Sequence, residues 1–263
     1  MKVQIYKTVT SLPVIGKPIA DWNHRRKMKM FAEGLHKTPP VFIYQSGKVG
    51  SSTLRKSIRS QYKGAVISDH NLENGFHWHT DVLCEEYQKQ KFPMKVITPI
   101  REPIGRNISA FFQNFERFTG VKFEDSQHSM EELTQLFLDN VGHSFPITFF
   151  DNHILKHFDI DVYASPFPKE DYALYEKEGI ELLVLKHDLD GKLKNKIVGD
   201  FIGNKSFCIA ENRNVSAQKP YASTYVEMQK RPLEKWYLDK MLNNKYVQHF
   251  YEKDIDNLRD KWS

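Results

Sequence analysis

The sequence predicts an α/β protein, a three-layer sandwich with a central, mainly parallel sheet and a helical C-terminus. Three observations carry this. Short apolar, β-rich runs at 41–44, 95–100 and 181–186 have the length and composition of buried strands. The first two lead through a polar or glycine-bearing turn into apolar residues at helical spacing. The alternation recurs along the chain, which implies crossover connections and a ligand site at the carboxyl ends of the strands.

Residues 1–40 have weak periodicity. Their basic run at 24–29 reads as a solvated helix face, and Thr38-Pro39-Pro40 breaks the chain before the first strand, 41–44. After the turn 46–53 a helix is expected from Leu54 and Ile58. The segments 65–67 and 76–79 are expected as short strands and 82–91 as a helix. The strand 95–100 runs into Arg101-Glu102-Pro103, with Pro103 where a helix begins. Ile104, Ile108, Phe111, Phe112 and Phe115 continue it at helical spacing. One or two helices are expected over 130–160, a further strand over 181–186, a polar segment over 211–220, and helices rich in Tyr and Trp to the end. The chain reads as a single domain, 1–263: an extension (1–40), an α/β core (41–205), and a lid loop with C-terminal helices (206–263).

Composition narrows the function. With 40% apolar and 27% charged residues, the 263-residue chain is globular, which excludes collagen-like, coiled-coil and wholly disordered classes. No apolar stretch approaches the ~18–20 residues that span a bilayer, and no signal-peptide core is evident. Cys84 and Cys208 are too few for a disulfide framework or a four-cysteine zinc site; they are expected as buried thiols in a reducing, cytoplasmic setting. The formal charge is +5, and residues 41–64 carry all of it through Lys48, Arg55, Lys56, Arg59 and Lys63 with no acid. Charge gathered in one segment points to a single anionic ligand, not to a nucleic-acid surface.

Two motifs give that ligand its chemistry. Ser46-Gly47-Lys48-Val49-Gly50-Ser51-Ser52-Thr53 lies between a strand and a helix. Glycines there let the backbone approach an anion, and helix-start amides, hydroxyls and Lys48 bind it. The ATP-type order G-x-x-x-x-G-K-[ST] is absent, because here the lysine precedes the second glycine. The second motif, 100–111, puts Arg101 at a strand tip, with Arg106 and Ser109 three apart on one helix face, an arrangement suited to a second phosphate.

Together, strand–GKVGSST–helix followed by strand–REPxxRxxSxF–helix resembles the sulfotransferases that use 3′-phosphoadenosine 5′-phosphosulfate (PAPS), which have a P-loop-like fold. The segments 183–189, 214–221 and 246–251 extend the likeness toward the bacterial capsular-polysaccharide and Golgi carbohydrate branches. The resemblance implies PAPS as donor, no metal, and a hydroxyl acceptor on a saccharide or polysaccharide. It implies that Gly50, Ser51, Ser52 and Thr53 hold the 5′-phosphate and that Arg101 and Ser109 hold the 3′-phosphate. Lys48 would neutralise the leaving oxygen, and Asn214, Ser216 and Lys219 would form a lid over the nucleotide. A histidine suits the base that the acceptor hydroxyl needs. The H-x-H pair resembles the uronosyl 2-O-sulfotransferase branch, so His79 is the expected base, with His77 its neighbour or substitute and His70 third; Glu73 and Asp81 are carboxylate alternatives. Arg55 and Arg59 either reach the nucleotide or form a solvated face. Two other readings compete: a P-loop-type nucleotide kinase or phosphotransferase, and a non-catalytic module for anionic glycans. The acceptor's identity and the oligomeric state are not encoded in these motifs.

Overall fold

The structure is a computed structural model that describes residues 16–73, 77–210 and 219–263, with the backbone alone for 16–20. Five strands, β1 (Val41–Tyr44), β2 (Val66–Asp69), β3 (Met94–Ile100), β4 (Tyr172–Lys177) and β5 (Ile180–Lys186), form one sheet in the order β2-β1-β3-β5-β4. All neighbours are parallel except β4, which pairs antiparallel with β5.

The side-chain alternation of a strand builds two cores. Phe42, Tyr44, Val96, Ile100, Leu182 and Val184 face one way, into the larger core. Over them lie the helices Trp78–Lys89, Pro103–Gln113, Met130–Asn140 and the C-terminal set Ala222–Met228, Lys235–Leu242, Lys245–Phe250 and Ile255–Trp262. Val41, Ile43, Ile97, Leu183 and Leu185 face the other way, under the helices Ser51–Gln61 and Gly191–Ile202. Strands buried on both faces read as continuous apolar runs, which is why β1, β3 and β5 are visible in the sequence.

Three elements differ from expectation. The segment 76–79 is not a strand: the helix Trp78–Lys89 begins there with His77 as its extended N-cap, and 74–76 lie outside the described residues. β4 is missed because it is an edge strand with a mostly half-exposed pattern; it joins β5 through Glu178 and Gly179, both at positive φ (48° and 81°), as a tight hairpin requires. The weakly periodic 1–40 contains the 20-residue helix Gly16–Leu35, which packs on Trp78–Lys89. Cys208, expected buried, is exposed. Among the described residues no helix is long and apolar enough to cross a membrane.

Candidate functional site

The site is built on the turn that follows β1. Gly47, Lys48 and Gly50 all have positive φ (83°, 61° and 76°). Glycine takes this region freely, whereas Lys48 takes it at a cost of roughly 1–2 kcal/mol. The result is a turn that folds back on itself and delivers the chain to the helix Ser51–Gln61. Gly50 caps that helix with no side-chain acceptor, which leaves its first turn without a capping side chain.

Arg106 holds the turn from below. Its Nε donates to the Gly47 carbonyl (3.3 Å), Nη2 to the Ser46 carbonyl and Nη1 to Asn107 Oδ1 (3.0 Å). Its guanidinium lies 5.4 Å from the Phe145 ring centroid. Burial pushes its pKa down to about 10. The expectation that Arg106 joins Ser109 on a second phosphate is therefore corrected: its donors are committed to the loop's own carbonyls.

Arg101 remains available. It sits at the tip of β3, where Nη1 reaches the Lys48 carbonyl at 3.3 Å. Its own carbonyl accepts from the Tyr246 hydroxyl (2.9 Å), and the next residue, Glu102, caps the helix Pro103–Gln113 by accepting from the amides of Ile104 and Gly105. Burial raises the Glu102 pKa, with the Gly105 amide and then Arg101 working against it. The helix Lys245–Phe250 and the cap thus fix the strand end from which Arg101 projects.

The Lys48 ammonium donates to Gln113 Oε1. Burial first, then the positive charges of Arg106 and Lys219, push its pKa down to about 8. That repulsion places Lys219 within electrostatic reach of the loop; Asn214 and Ser216, the other expected lid residues, lie outside the described residues. Arg106 touches the turn and Gln113 touches Lys48, seven residues apart on one helix stripe, and Ser109 lies between them on that stripe, partly exposed. Among the described residues no carboxylate is hydrogen-bonded to or ion-paired with Lys48, Arg101 or Lys219. Arg101 thus reaches the backbone of the turn, and Lys219 comes within electrostatic reach of Lys48.

Beside the turn, on the face of the second core, lies a cleft of about 370 Å³ walled by Val49, Leu54, Pro99, Leu185, Ile209 and Ala210. Thr53, His187, Lys194 and Asn195 supply its polar groups. The His187 amide donates to the Ile100 carbonyl (2.8 Å); burial first, then Arg101, hold its imidazole pKa down to about 4, so it is neutral. Neither His187 nor Gln113 was singled out from the sequence. Gln113 carried one usable signal, its seven-residue spacing from Arg106.

The histidines separate into three places. His70, directly after β2, is the one tied to the turn. Its Nδ1 lies 2.9 Å from both the Gln45 amide nitrogen and the Gln45 carbonyl, and Gln45 Oε1 in turn accepts from the Gly47 amide. The His70 amide donates to Asp69 Oδ1 (2.7 Å), and Asp69 Oδ2 accepts from the Thr80 hydroxyl (2.7 Å), so the strand end is locked. His79 stacks on Trp78 at 3.7 Å and meets Phe31 edge-on; with His77 it lines a different cleft, together with Arg55 and Arg59. Burial first, then Arg59 and His77, lower its pKa. His153 belongs to the larger core's rim: its Nδ1 meets the Tyr44 hydroxyl at 2.6 Å, and its ring stacks on Phe149. It sits in a π-helical turn, Phe150–Leu155, within the longer helix 145–158. Of the carboxylate alternatives, Glu73 pairs with Lys156, and that hydrogen bond lowers its pKa; Asp81 lies in the first turn of the helix Trp78–Lys89. Among the described residues no cluster of three metal-ligating side chains occurs.

The strand order and the turn after β1 define a mixed α/β protein with a five-stranded, mostly parallel sheet and a lysine- and arginine-bearing turn at the carboxyl end of β1. Residues 122–252 of this 263-residue chain, just under half, match the NKWYS family, described as "Putative capsular polysaccharide synthesis protein". The chain is thus similar to a capsular-polysaccharide-related family. The matched segment carries His153, β5, His187 and Lys219, while the turn at 46–50 and Arg101 precede it. No curated protein and no solved structure matches the chain.

Proposed function

We propose that the protein is a sulfotransferase that moves a sulfuryl group from PAPS to a hydroxyl of a saccharide or polysaccharide. The observation that supports this most is the approach of Arg101 to the turn: two motifs 53 positions apart in sequence meet at the Lys48 carbonyl, 3.3 Å from the guanidinium. A donor with phosphates at both ends of one nucleoside needs two such anion sites side by side. Helix-start amides, Ser51, Ser52, Thr53 and Lys48 suit the 5′ end, and Arg101 and Ser109 suit the 3′-phosphate. The apolar cleft beside them has the walls a purine needs. The family match supports the acceptor class through its description, which concerns capsular polysaccharide synthesis.

In the proposed step the acceptor oxygen attacks sulfur in line. A new S–O bond forms, and the S–O bond to the 5′-phosphate breaks. The electron pair leaves on the phosphate oxygen, and the acceptor proton passes to a base. Positioning and charge compensation then supply most of the acceleration. Lys48 is suited to the leaving oxygen because its ammonium is partly buried and held beside the turn by Gln113. For the base we favour His70 over His79: Gln45 ties its ring to the turn, and in the tautomer whose Nδ1–H donates to the Gln45 carbonyl, Nε2 is free to accept a proton.

The test is thermal denaturation with 3′,5′-adenosine bisphosphate, with ADP, and with ADP plus Mg²⁺. The bisphosphate is expected to raise Tm clearly and the other two little, since ligand binding stabilises the folded state by mass action. A larger rise with Mg-ADP replaces the reading with a phosphotransferase, and no rise with any of the three favours a non-catalytic glycan binder.

A further inference from the structure

A second cleft, of about 460 Å³, lies along the open edge of the sheet. β2 is the edge strand, and residues 64–68 form the floor. One wall is the outer face of the helix Ser51–Gln61, carrying Arg55 and Arg59. The other is Phe31 from the helix Gly16–Leu35, with His77 and His79 at the start of the helix Trp78–Lys89. Arg55 and Arg59 are four apart, so two like charges sit side by side on one helix face, an arrangement that disfavours the helix unless an anion bridges them. Among the described residues neither has an ion pair, and both are exposed. The charges acting on His79 are the positive ones of Arg59 and His77.

We propose that this cleft binds a carboxylate-bearing glycan, separately from the phosphate-binding turn. The guanidinium forks of Arg55 and Arg59 match carboxylates in a way a lysine would not. Phe31, backed by the Trp78–His79 stack, offers an apolar wall for the C–H face of a sugar ring. The outer edge of β2 presents backbone N–H and C=O groups that hydroxyls can pair with. The volume suits a short oligosaccharide. A narrow groove with one aromatic wall favours a glycan over nucleic acid, which would need a longer basic track with several stacking rings. The inference deepens the transferase reading by naming the class of its acceptor chain, yet the binding itself requires no sulfuryl transfer.

The probe is tri-galacturonate, titrated by calorimetry against the wild-type chain and against Arg55→Ala/Arg59→Ala, with maltotriose, inorganic phosphate and a short oligothymidylate as comparators. Tri-galacturonate is expected to bind, maltotriose at least tenfold more weakly, and the double variant to lose at least tenfold affinity for tri-galacturonate. The Tm rise with 3′,5′-adenosine bisphosphate is expected to be unchanged in that variant, which also shows that it is folded. Arg59→Glu is expected to weaken tri-galacturonate further and to steepen no other response. Equal binding of tri-galacturonate by wild type and double variant overturns the proposal, as does phosphate or oligothymidylate binding as tightly as the trisaccharide. Absence of any bisphosphate shift in the wild type, with tri-galacturonate binding intact, would overturn the transferase reading and leave the cleft standing.

Discussion

Replacing Arg106 by alanine tests whether the turn is held from beneath. The guanidinium makes three hydrogen bonds, to the carbonyls of Ser46 and Gly47 and to Asn107 Oδ1, and is only 8% exposed. A hydrogen bond from a charged donor contributes about 2 kcal/mol. Burial disfavours the charge and holds its pKa down to about 10, and the bonds offset that cost. Arg106→Ala forfeits them and leaves the loop carbonyls without their donors, at about 1–3 kcal/mol for each buried group left unpaired. The expected outcome is a loss of about 3 kcal/mol in urea denaturation and, because the turn is no longer preorganised, weaker bisphosphate binding by tenfold or more. Arg106→Lys, with one point-like donor group in place of a fork, is expected to fall between wild type and alanine. A stability change under about 1 kcal/mol together with unchanged bisphosphate affinity would refute the tethering role.

Three further outcomes follow from the same geometry. Lys48 is held at about pKa 8 in the free protein, and a bound phosphate raises it, so binding takes up a proton above pH 8; bisphosphate affinity is expected to be flat from pH 7 to 8 and to fall up to tenfold per unit above that, measured by calorimetry, with the slope absent in Lys48→Ala. For stability alone the sign is opposite: the unfolded chain holds the Lys48 proton up to about pH 10.5, so this residue's destabilising contribution fades as pH rises from about 8. Gly47→Ala forces a side chain into φ +83° with its Cβ 3.3 Å from Arg106 Nη2 and is expected to destabilise by roughly 1–2 kcal/mol in urea denaturation. His70→Ala is expected to keep the bisphosphate Tm shift and lose roughly 10²–10⁴-fold in turnover with a labelled donor, whereas His79→Ala loses less; the reverse order would return the base to His79.

The sheet was legible wherever burial on both faces wrote an uninterrupted apolar run, as in β1, β3 and β5. β4 was not, because an edge strand with residues such as Leu174 turned outward has no such run. The turn 46–53 was legible as a turn because Gly47 and Gly50 take the positive φ that glycine favours. What each arginine does was not. Arg101 and Arg106 look equivalent in sequence, and only the path of the chain decides that one projects beside Lys48 while the other is buried under Ser46. The backbone setting of the histidines was not legible either. An H-x-H pair suggests one strand face, but His77 is the extended N-cap of a helix and His79 lies in that helix's first turn, so the two rings do not follow strand alternation. His70 shares no local pattern with Gln45, 25 positions earlier; parallel pairing of β1 with β2 brings them together.

The division between the motif-bearing first half and the family-matched second half is bridged by specific contacts, and these explain why neither half suffices. Arg101 projects correctly because Tyr246, inside the matched segment, holds its carbonyl. Lys219, also inside it, adds to burial and Arg106 in lowering the Lys48 pKa. Phe145, again inside it, stacks on the guanidinium that anchors the turn. The matched segment therefore supplies groups that orient, charge and brace the turn, while the backbone that gives the turn its shape, at positive φ, comes from residues 47–50.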